Sequence, residues 1–374
     1  MTRRLVGVVA LLAACGPPAG EPTLEITSAP ANLDALGRTA QLRVVATNAD
    51  GTIGKGTVTL AATPGELDET SFELDGYGTF RTGLTCPATD PACTPGASLT
   101  VRGTWTPPKG DAVAGTRTLH INTPPPTWTP ASCPPEAKLV YLFSDDATLY
   151  SYHPPTKSLL RLGQLKCAAG SATPNSMAVS QDGVAWLNYS DGSLFRVNVR
   201  TLACTPTAFV PPAGWTSFGM GFSPDSATAI TETLYIASAL GLAKVDLQAM
   251  QATLVGPFSG AIAARGAELT STPNGALFGF FVPAATTAGM QLAAIAKDTA
   301  VTSPPKDFPT LTLGSSFAYA FSSWGADFYL YTSSDGAPTT VTKYSPATDA
   351  VSTWMTAPTG VRILGAGVSR CGGD

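Results

Sequence analysis

Two short patterns recur through the last two-thirds of this chain at a spacing of about 45 to 50 residues, and no other feature constrains the fold as tightly. The first closes an alternating apolar run just before a polar turn. Its copies are Leu149-Tyr150-Ser151-Tyr152, Leu194-Phe195-Arg196-Val197, Leu242-Ala243-Lys244-Val245, Leu292-Ala293-Ala294-Ile295 and Val341-Thr342-Lys343-Tyr344. The second is an apolar residue followed by Ser or Thr, at Val179-Ser180, Phe222-Ser223, Leu269-Thr270, Phe321-Ser322 and Val368-Ser369. Side chains that alternate along a run share one buried face, so each repeat reads as a small set of short strands.

The offset between the patterns adds a topological constraint. The first pattern starts before the second, at Tyr152 against Val179, while the last copy of the second, Val368, follows every other copy. If the innermost strand of each unit comes first, the first unit lacks that strand at its own start. Ile363 to Ser369 is then expected to supply it, which joins the two ends of a ring and removes an exposed strand edge. Over about Cys133 to Cys371 the repeats resemble bacterial β-propeller proteins, in which each blade is a four-stranded sheet. The expectation is a propeller over residues 136–374 with five blades, or six if the long fourth repeat holds extra strands. No Trp-Asp dipeptide or cofactor motif assigns a subfamily, so the resemblance implies an architecture and leaves the activity open.

Composition agrees with an all-β chain. Hydrophobic residues make up 44%, enough for a sizeable core, while 37 Gly and 32 Pro interrupt the chain too often for long helices. The 22 Lys and Arg against 26 Asp and Glu leave a net charge of -4, with no basic excess to neutralise phosphates, so no nucleic-acid partner is expected. His120 and His153 are the two histidines, which leaves no His pair at metal-ligand spacing.

Residues 1–15 have the layout of a signal peptide, with Arg3 and Arg4 ahead of an apolar run from Leu5 to Leu12. The run is far shorter than the ~20 residues that span a bilayer. Leu12-Ala13-Ala14-Cys15 resembles the lipobox of bacterial lipoproteins, which implies lipidation at Cys15 and a membrane partner held through that lipid. Gly16 in place of Asp lacks the inner-membrane retention signal of some such lipoproteins, so the expected location is the outer membrane or cell surface. Residues 16–22 read as a tether. Residues 23–122 hold short alternating runs, including Leu42-Arg43-Val44, Thr57-Val58-Thr59-Leu60 and Leu99-Thr100-Val101, separated by turns such as Asp50-Gly51 and Asp75-Gly76. About seven strands in that length make a sandwich. The run from Asp75 to Phe80 and that from Gly96 to Val101 resemble the later strands of bacterial immunoglobulin-like domains, which implies a spacer or adhesive module. Residues 123–135 carry six prolines and read as a stiff linker, with Trp128 expected to pack between the two domains.

Setting Cys15 aside leaves six of the seven cysteines, an even number that suits disulfides in an oxidising compartment. None forms a Cys-x-x-Cys pair. Six cysteines allow 15 pairings, of which spacing and the ring closure favour Cys86 with Cys93, Cys167 with Cys204 and Cys133 with Cys371.

Candidate chemistry is sparse, and no catalytic residue is assigned. Loops expected at the channel mouth carry Asp145, Asp146, Tyr189, Asp191, Trp215, Ser333 and Asp335, the candidate binding residues. The Asp145-Asp146 pair offers oxygen ligands of the kind Ca²⁺ takes. The competing reading is stronger, because Ser144-Asp145-Asp146, Ser190-Asp191-Gly192 and Ser334-Asp335-Gly336 are ordinary hairpin turns. His153 before Pro154-Pro155 reads as a turn residue, and Asn188-Tyr189-Ser190 matches a three-residue glycosylation sequon that often arises by chance. The favoured function is a non-catalytic, lipid-anchored envelope protein presenting its propeller to a protein or glycan. The alternative is a propeller hydrolase or lyase with a divalent cation at the channel mouth.

Overall fold

The computed structural model describes residues 20–34, 38–75, 79–123, 128–130, 133–259, 262, 265–282 and 289–373. Cys15 and its signal segment therefore lie outside the described residues. The described chain is all-β, with seven four-stranded antiparallel sheets, and falls into two compact units. Among the described residues, no helix is long and apolar enough to cross a membrane.

The first unit comprises the described residues within Met1–Asn32, Ala40–Cys86 and Ser98–His120. Its strands are β1 (Thr23–Ala29), β2 (Thr39–Thr47), β3 (Lys55–Thr63), β4 (Glu66–Leu67), β5 (Ser71–Asp75), β6 (Phe80–Thr85), β7 (Ser98–Thr106) and β8 (Val113–His120). They form two sheets, ordered β1-β2-β6-β4 and β5-β3-β7-β8. Alternation in β2 and β7 sends Leu42, Val44, Leu99, Val101 and Trp105 inward, each almost fully buried. The Trp105 indole N–H is satisfied by Lys55 O at 2.8 Å, so the largest core side chain leaves no orphan donor.

The second unit contains the repeats. It begins with β9 (Val140–Ser144), β10 (Thr148–His153) and β11 (Ser158–Gln164). Next come β12 (Pro174–Val179), β13 (Val184–Tyr189), β14 (Leu194–Asn198) and β15 (Cys204–Pro206), then β16 (Gly219–Pro224), β17 (Glu232–Ser238), β18 (Gly241–Asp246) and β19 (Gln251–Gly256). The third full set is β20 (Ala267–Ser271), β21 (Leu277–Phe281), β22 (Met290–Ile295) and β23 (Lys306–Phe308). The fourth is β24 (Phe317–Trp324), β25 (Asp327–Ser334), β26 (Thr340–Ser345) and β27 (Ala350–Thr356), and β28 (Ile363–Val368) ends the chain. Four of the sheets use consecutive strands. The exception is β11-β10-β9-β28, in which the last strand of the chain pairs with β9, setting Ala366 opposite Leu142 and Val368 opposite Val140. The strands β28, β12, β16, β20 and β24 contact one another in that cyclic order, with β24 returning to β28, so the five sheets form a closed ring.

Close approach of these inner strands is built into the sequence. A Cβ at Gly219 would fall 1.9 Å from Ala267 O, and one at Gly365 would fall 2.7 Å from Met177 N. Only glycine allows backbones to come that near. Between neighbouring sheets the side chains form separate clusters, such as Phe143, Leu149, Met177, Val179, Leu187 and Phe195 between the first sheet and the next.

The turns leading into the outermost strands repeat as well. Lys157, Leu202, Met250, Ala300 and Asp349 occupy equivalent positions there, all with φ between 52° and 63°. Beyond them, β11, β19 and β27 each carry a bulge against the same position of the strand they pair with. The bulge in β27 leaves Trp354 unpaired and re-aims it, so that the Lys157 ammonium lies 4.4 Å from its ring and its indole N–H donates to Pro154 O at 3.0 Å.

Two disulfides staple this unit: Cys133–Cys371, whose partners are 238 positions apart in sequence, and Cys167–Cys204, whose partners are 37 apart. Cys86 and Cys93 are also disulfide-bonded. Of the Pro-rich segment, residues 128–130 and 133–135 are described, and they group with the second unit. Trp128 is held there: its backbone N–H donates to Thr228 O, and its ring lies 3.9 Å from the Arg370 guanidinium and against Cys133, Ala137 and Cys371.

Candidate functional site

The carboxylates expected at the channel mouth already have hydrogen-bond or ion-pair partners. Asp146, in the β9–β10 turn, accepts hydrogen bonds from Ser144 Oγ, from Thr148 N at 3.1 Å and from Thr148 Oγ1 at 3.0 Å. Partial burial would raise its carboxyl, but these bonds outweigh that and hold it below the usual range. Asp191 accepts from Ser193 Oγ at 2.6 Å and Ser193 N at 2.9 Å, and those bonds lower it too. Asp335, at φ 51°, accepts from Ser315 Oγ at 3.1 Å and Ser316 N at 3.3 Å. Asp146 and Asp191 are engaged in shaping their own turns, as Asp commonly is, whereas Asp335 ties its turn to the segment entering β24.

Asp145 and Ser333 are brought together through Arg362, on the segment entering β28. The Arg362 guanidinium lies 3.4 Å from the Asp145 carboxylate, and its Nε donates to Ser333 Oγ at 3.2 Å. Ser333 is itself buried and donates to Ala337 O. The trio joins the fifth sheet to the first at the point of ring closure.

Tyr189 and Trp215 depart from the sequence expectation, since each is only 3% exposed. Tyr189 packs edge-on against Phe143 and Phe195, at 5.9 and 5.2 Å, and burial pushes its phenol up to about 12. Trp215 lies in the cluster of Trp186, Phe218, Met220 and Phe222 between the second and third sheets. An aromatic residue next to a turn gains more from the adjacent inter-sheet core than from solvent, and that outcome overrides the mouth assignment. Asn188 of the sequon is fully buried and donates to Ser193 O at 3.2 Å, so it is not exposed for glycosylation. His153 meets Thr156 Oγ1 at 2.8 Å and packs edge-on against Trp324 in its turn.

Two polar clusters on the ring escaped the sequence reading. On the inner strands, Ser176 Oγ donates to Glu268 Oε2 at 2.6 Å and accepts from Met220 N at 3.2 Å. Burial pushes the Glu268 carboxyl well above the usual carboxylate range, and the bonds from Ser176 and Met220 N only partly oppose it. The repeat itself carried the signal. The position before the apolar residue of the second pattern is Ala178, Gly221, Glu268, Ala320 and Gly367, so one acid stands among four small residues.

The second cluster surrounds Arg370. Its guanidinium is almost fully buried and donates to the carbonyls of Ala229, Ala227 and Pro273, the last two at 2.9 and 3.3 Å. Nearby, Glu232 Oε1 accepts from Gln181 N at 2.7 Å, and burial pushes this carboxyl well above its usual range, against the opposing effects of the Gln181 N–H and Arg370. Among the described residues, no group of three or more His, Cys, Asp or Glu stands where it could hold a metal ion. The first unit carries an open groove bordered by Asn48, Ile53, Lys55, Pro108 and Lys109, where the Asn48 amide is committed to Thr52 Oγ1 at 2.9 Å.

No protein-family model matches the chain, and no curated protein matches it. Solved structures similar to it include regucalcin, a calcium-binding protein from Agrobacterium tumefaciens, at 12% identity and TM-score 0.35 over 63% of this chain and 75% of that one. An auxiliary nutrient-binding protein from Bacteroides thetaiotaomicron is similar at 10% identity and TM-score 0.32, over 90% and 86%. The WD40 repeats of RRP9 align at 15% identity and TM-score 0.32, over 51% of this chain and 55% of that one, and the chain likewise spans about half (52%) of U3-55K. Likenesses this distant assign no activity, and the ring rests on its own sheet order.

Proposed function

We propose that this chain is a cell-envelope protein anchored by lipid at Cys15 in the outer membrane or at the cell surface. In this reading its first unit is an immunoglobulin-like spacer, and its second is a five-bladed propeller that binds a protein or glycan without turning it over. The disulfide framework carries the reading. Six cysteines in disulfides, one pair closing the ring across 238 residues, suit a protein that works in an oxidising compartment. The lipobox-like Leu12-Ala13-Ala14-Cys15 points to the same place.

Binding is favoured over hydrolysis because the loop carboxylates that a cation would need already have partners: Asp146 and Asp191 in Ser and Thr donors of their own turns, Asp335 in Ser315 and Asp145 in Arg362. The Ca²⁺ option therefore has less support than the turn reading of Asp146 and Asp191. A direct test incubates the purified mature protein, with and without added Ca²⁺, with envelope polysaccharides and with ester, lactone and glycoside substrates. Saturable binding with unchanged ligand is the expected result. Turnover that requires Ca²⁺ and is lost in Asp146→Ala or Asp191→Ala would replace the binding reading with the hydrolase or lyase one.

A further inference from the structure

The inner strands leave little room for side chains at the level of Glu268. A Cβ at Gly221 would lie 2.9 Å from Leu269 C, and one at Gly367 would lie 2.7 Å from Val179 Cγ2. Small residues fill this position in the other four sheets. Glu268, on β20, is 4% exposed and reaches Ser176 on β12, although β16 lies between those strands in the ring. Gly219 of β16 makes the crossing possible, because a Cβ there would sit 2.7 Å from Glu268 Cα. The carboxyl, the Ser176 hydroxyl and the Met220 N–H thus join the inner strands of three consecutive sheets.

We propose that Glu268 is a proton-dependent cross-tie at the centre of the ring, which makes the ring firmer as the medium acidifies and weaker as it turns alkaline. The groups facing the carboxyl set this behaviour. From β12 comes the Ser176 hydroxyl, from β16 the Met220 N–H, and from β24 the phenol of Tyr319, while Phe280 of β21 stands opposite it in register. Tyr319 is also pushed up, first by burial and then by the charge of Glu268. Among the described residues, no cation acts on the Glu268 carboxyl, so its ionised form is buried with only neutral donors.

The sign follows from the raised carboxyl. Protonation is easier in the folded ring than in the unfolded chain, so the stabilising contribution is complete below the ordinary Glu range. It is lost as pH rises from there toward the folded value. Glu232 behaves in the same direction and supplies an internal comparison. The facing groups differ, since Gln181 N–H, Asp182, Arg370 and Asp225 act on it.

Thermal melts of the wild type, Glu268→Gln, Ser176→Ala and Glu232→Gln at pH 5 to 9 test the proposal. Each buried acid should contribute a fall in Tm of roughly 3 °C per pH unit above its unfolded value. Glu268→Gln should lose one such share of the slope, Glu232→Gln the other, and the double variant both. Ser176→Ala should extend the fall to higher pH at unchanged slope, because the hydroxyl it removes serves the ionised carboxylate and its loss raises the folded value further. A wild-type slope in Glu268→Gln overturns the proposal. Should that variant fail to fold, infrared titration of Glu232→Gln with isotopically labelled glutamate decides: a carboxyl that stays protonated above the ordinary Glu range supports the tie, and glutamates that all ionise within that range reject it.

Discussion

Removing the Cys133–Cys371 bond should weaken the ring more than removing any other crosslink in it. The pair encloses a loop of 238 residues and the Cys167–Cys204 pair one of 37. Chain entropy alone assigns about 5.5 kcal/mol to the first and about 3.8 to the second, upper values that measured disulfides often fall short of. Cys371 is fully buried, so Cys133→Ala/Cys371→Ala is preferable to a serine pair that would leave hydroxyls without partners. A loss of about 3–5 kcal/mol is expected, or roughly 10 °C in Tm for a unit of this size. Urea unfolding followed by tryptophan fluorescence suits the measurement, because five of the six tryptophans (all but Trp105) lie in the ring-forming unit. Cys167→Ala/Cys204→Ala is the comparison, with a smaller loss expected. Equal losses, or a larger one from the local pair, would refute the argument that the long bond clamps the ends of a closed ring.

Gly219→Ala should destabilise the ring by about 2 kcal/mol or more, since its Cβ meets the Ala267 carbonyl rather than a yielding side chain; a Tm within 1 °C of wild type would contradict the close inner-strand contact. Arg370→Lys should behave nearly as badly as Arg370→Ala, because one ammonium cannot reproduce a planar fork that serves three carbonyls and lies against Trp128; full rescue by lysine in chemical denaturation would show that charge alone matters. Trp215→Ala should cost about 3–5 kcal/mol as a core truncation, whereas Asp191→Ala should cost about 1 as a lost turn contact; the reverse order would return Trp215 to the surface.

Much of the ring's order could be read from its repeats. The early first pattern and late Val368 pointed to a missing inner strand, and β28 occupies that place beside β9. The same offset set Cys133 beside Cys371. Side-chain destinations were harder to read, because a strand pattern gives the face of a residue and says nothing of what packs on that face. Tyr189 and Trp215 looked like mouth residues by their nearness to turns, yet both turn into inter-sheet cores. Glu268 was hidden for the opposite reason. An acid within Ala267-Glu268-Leu269-Thr270 looks like a solvent-facing position until the four equivalent small residues reveal how tight that level of the ring is. Arg370 and Trp128 are 242 residues apart in the sequence, and only ring closure brings them together.

The central claim joins an envelope address to a ring closed by its own last strand. A non-reducing peptide map by mass spectrometry, on the protein extracted from membranes, tests both at once. It should find Cys15 as an acylated first residue and the peptides of Cys133 and Cys371 linked. An unacylated N-terminus beginning elsewhere, or Cys371 free or joined to Cys167 or Cys204, would contradict the account.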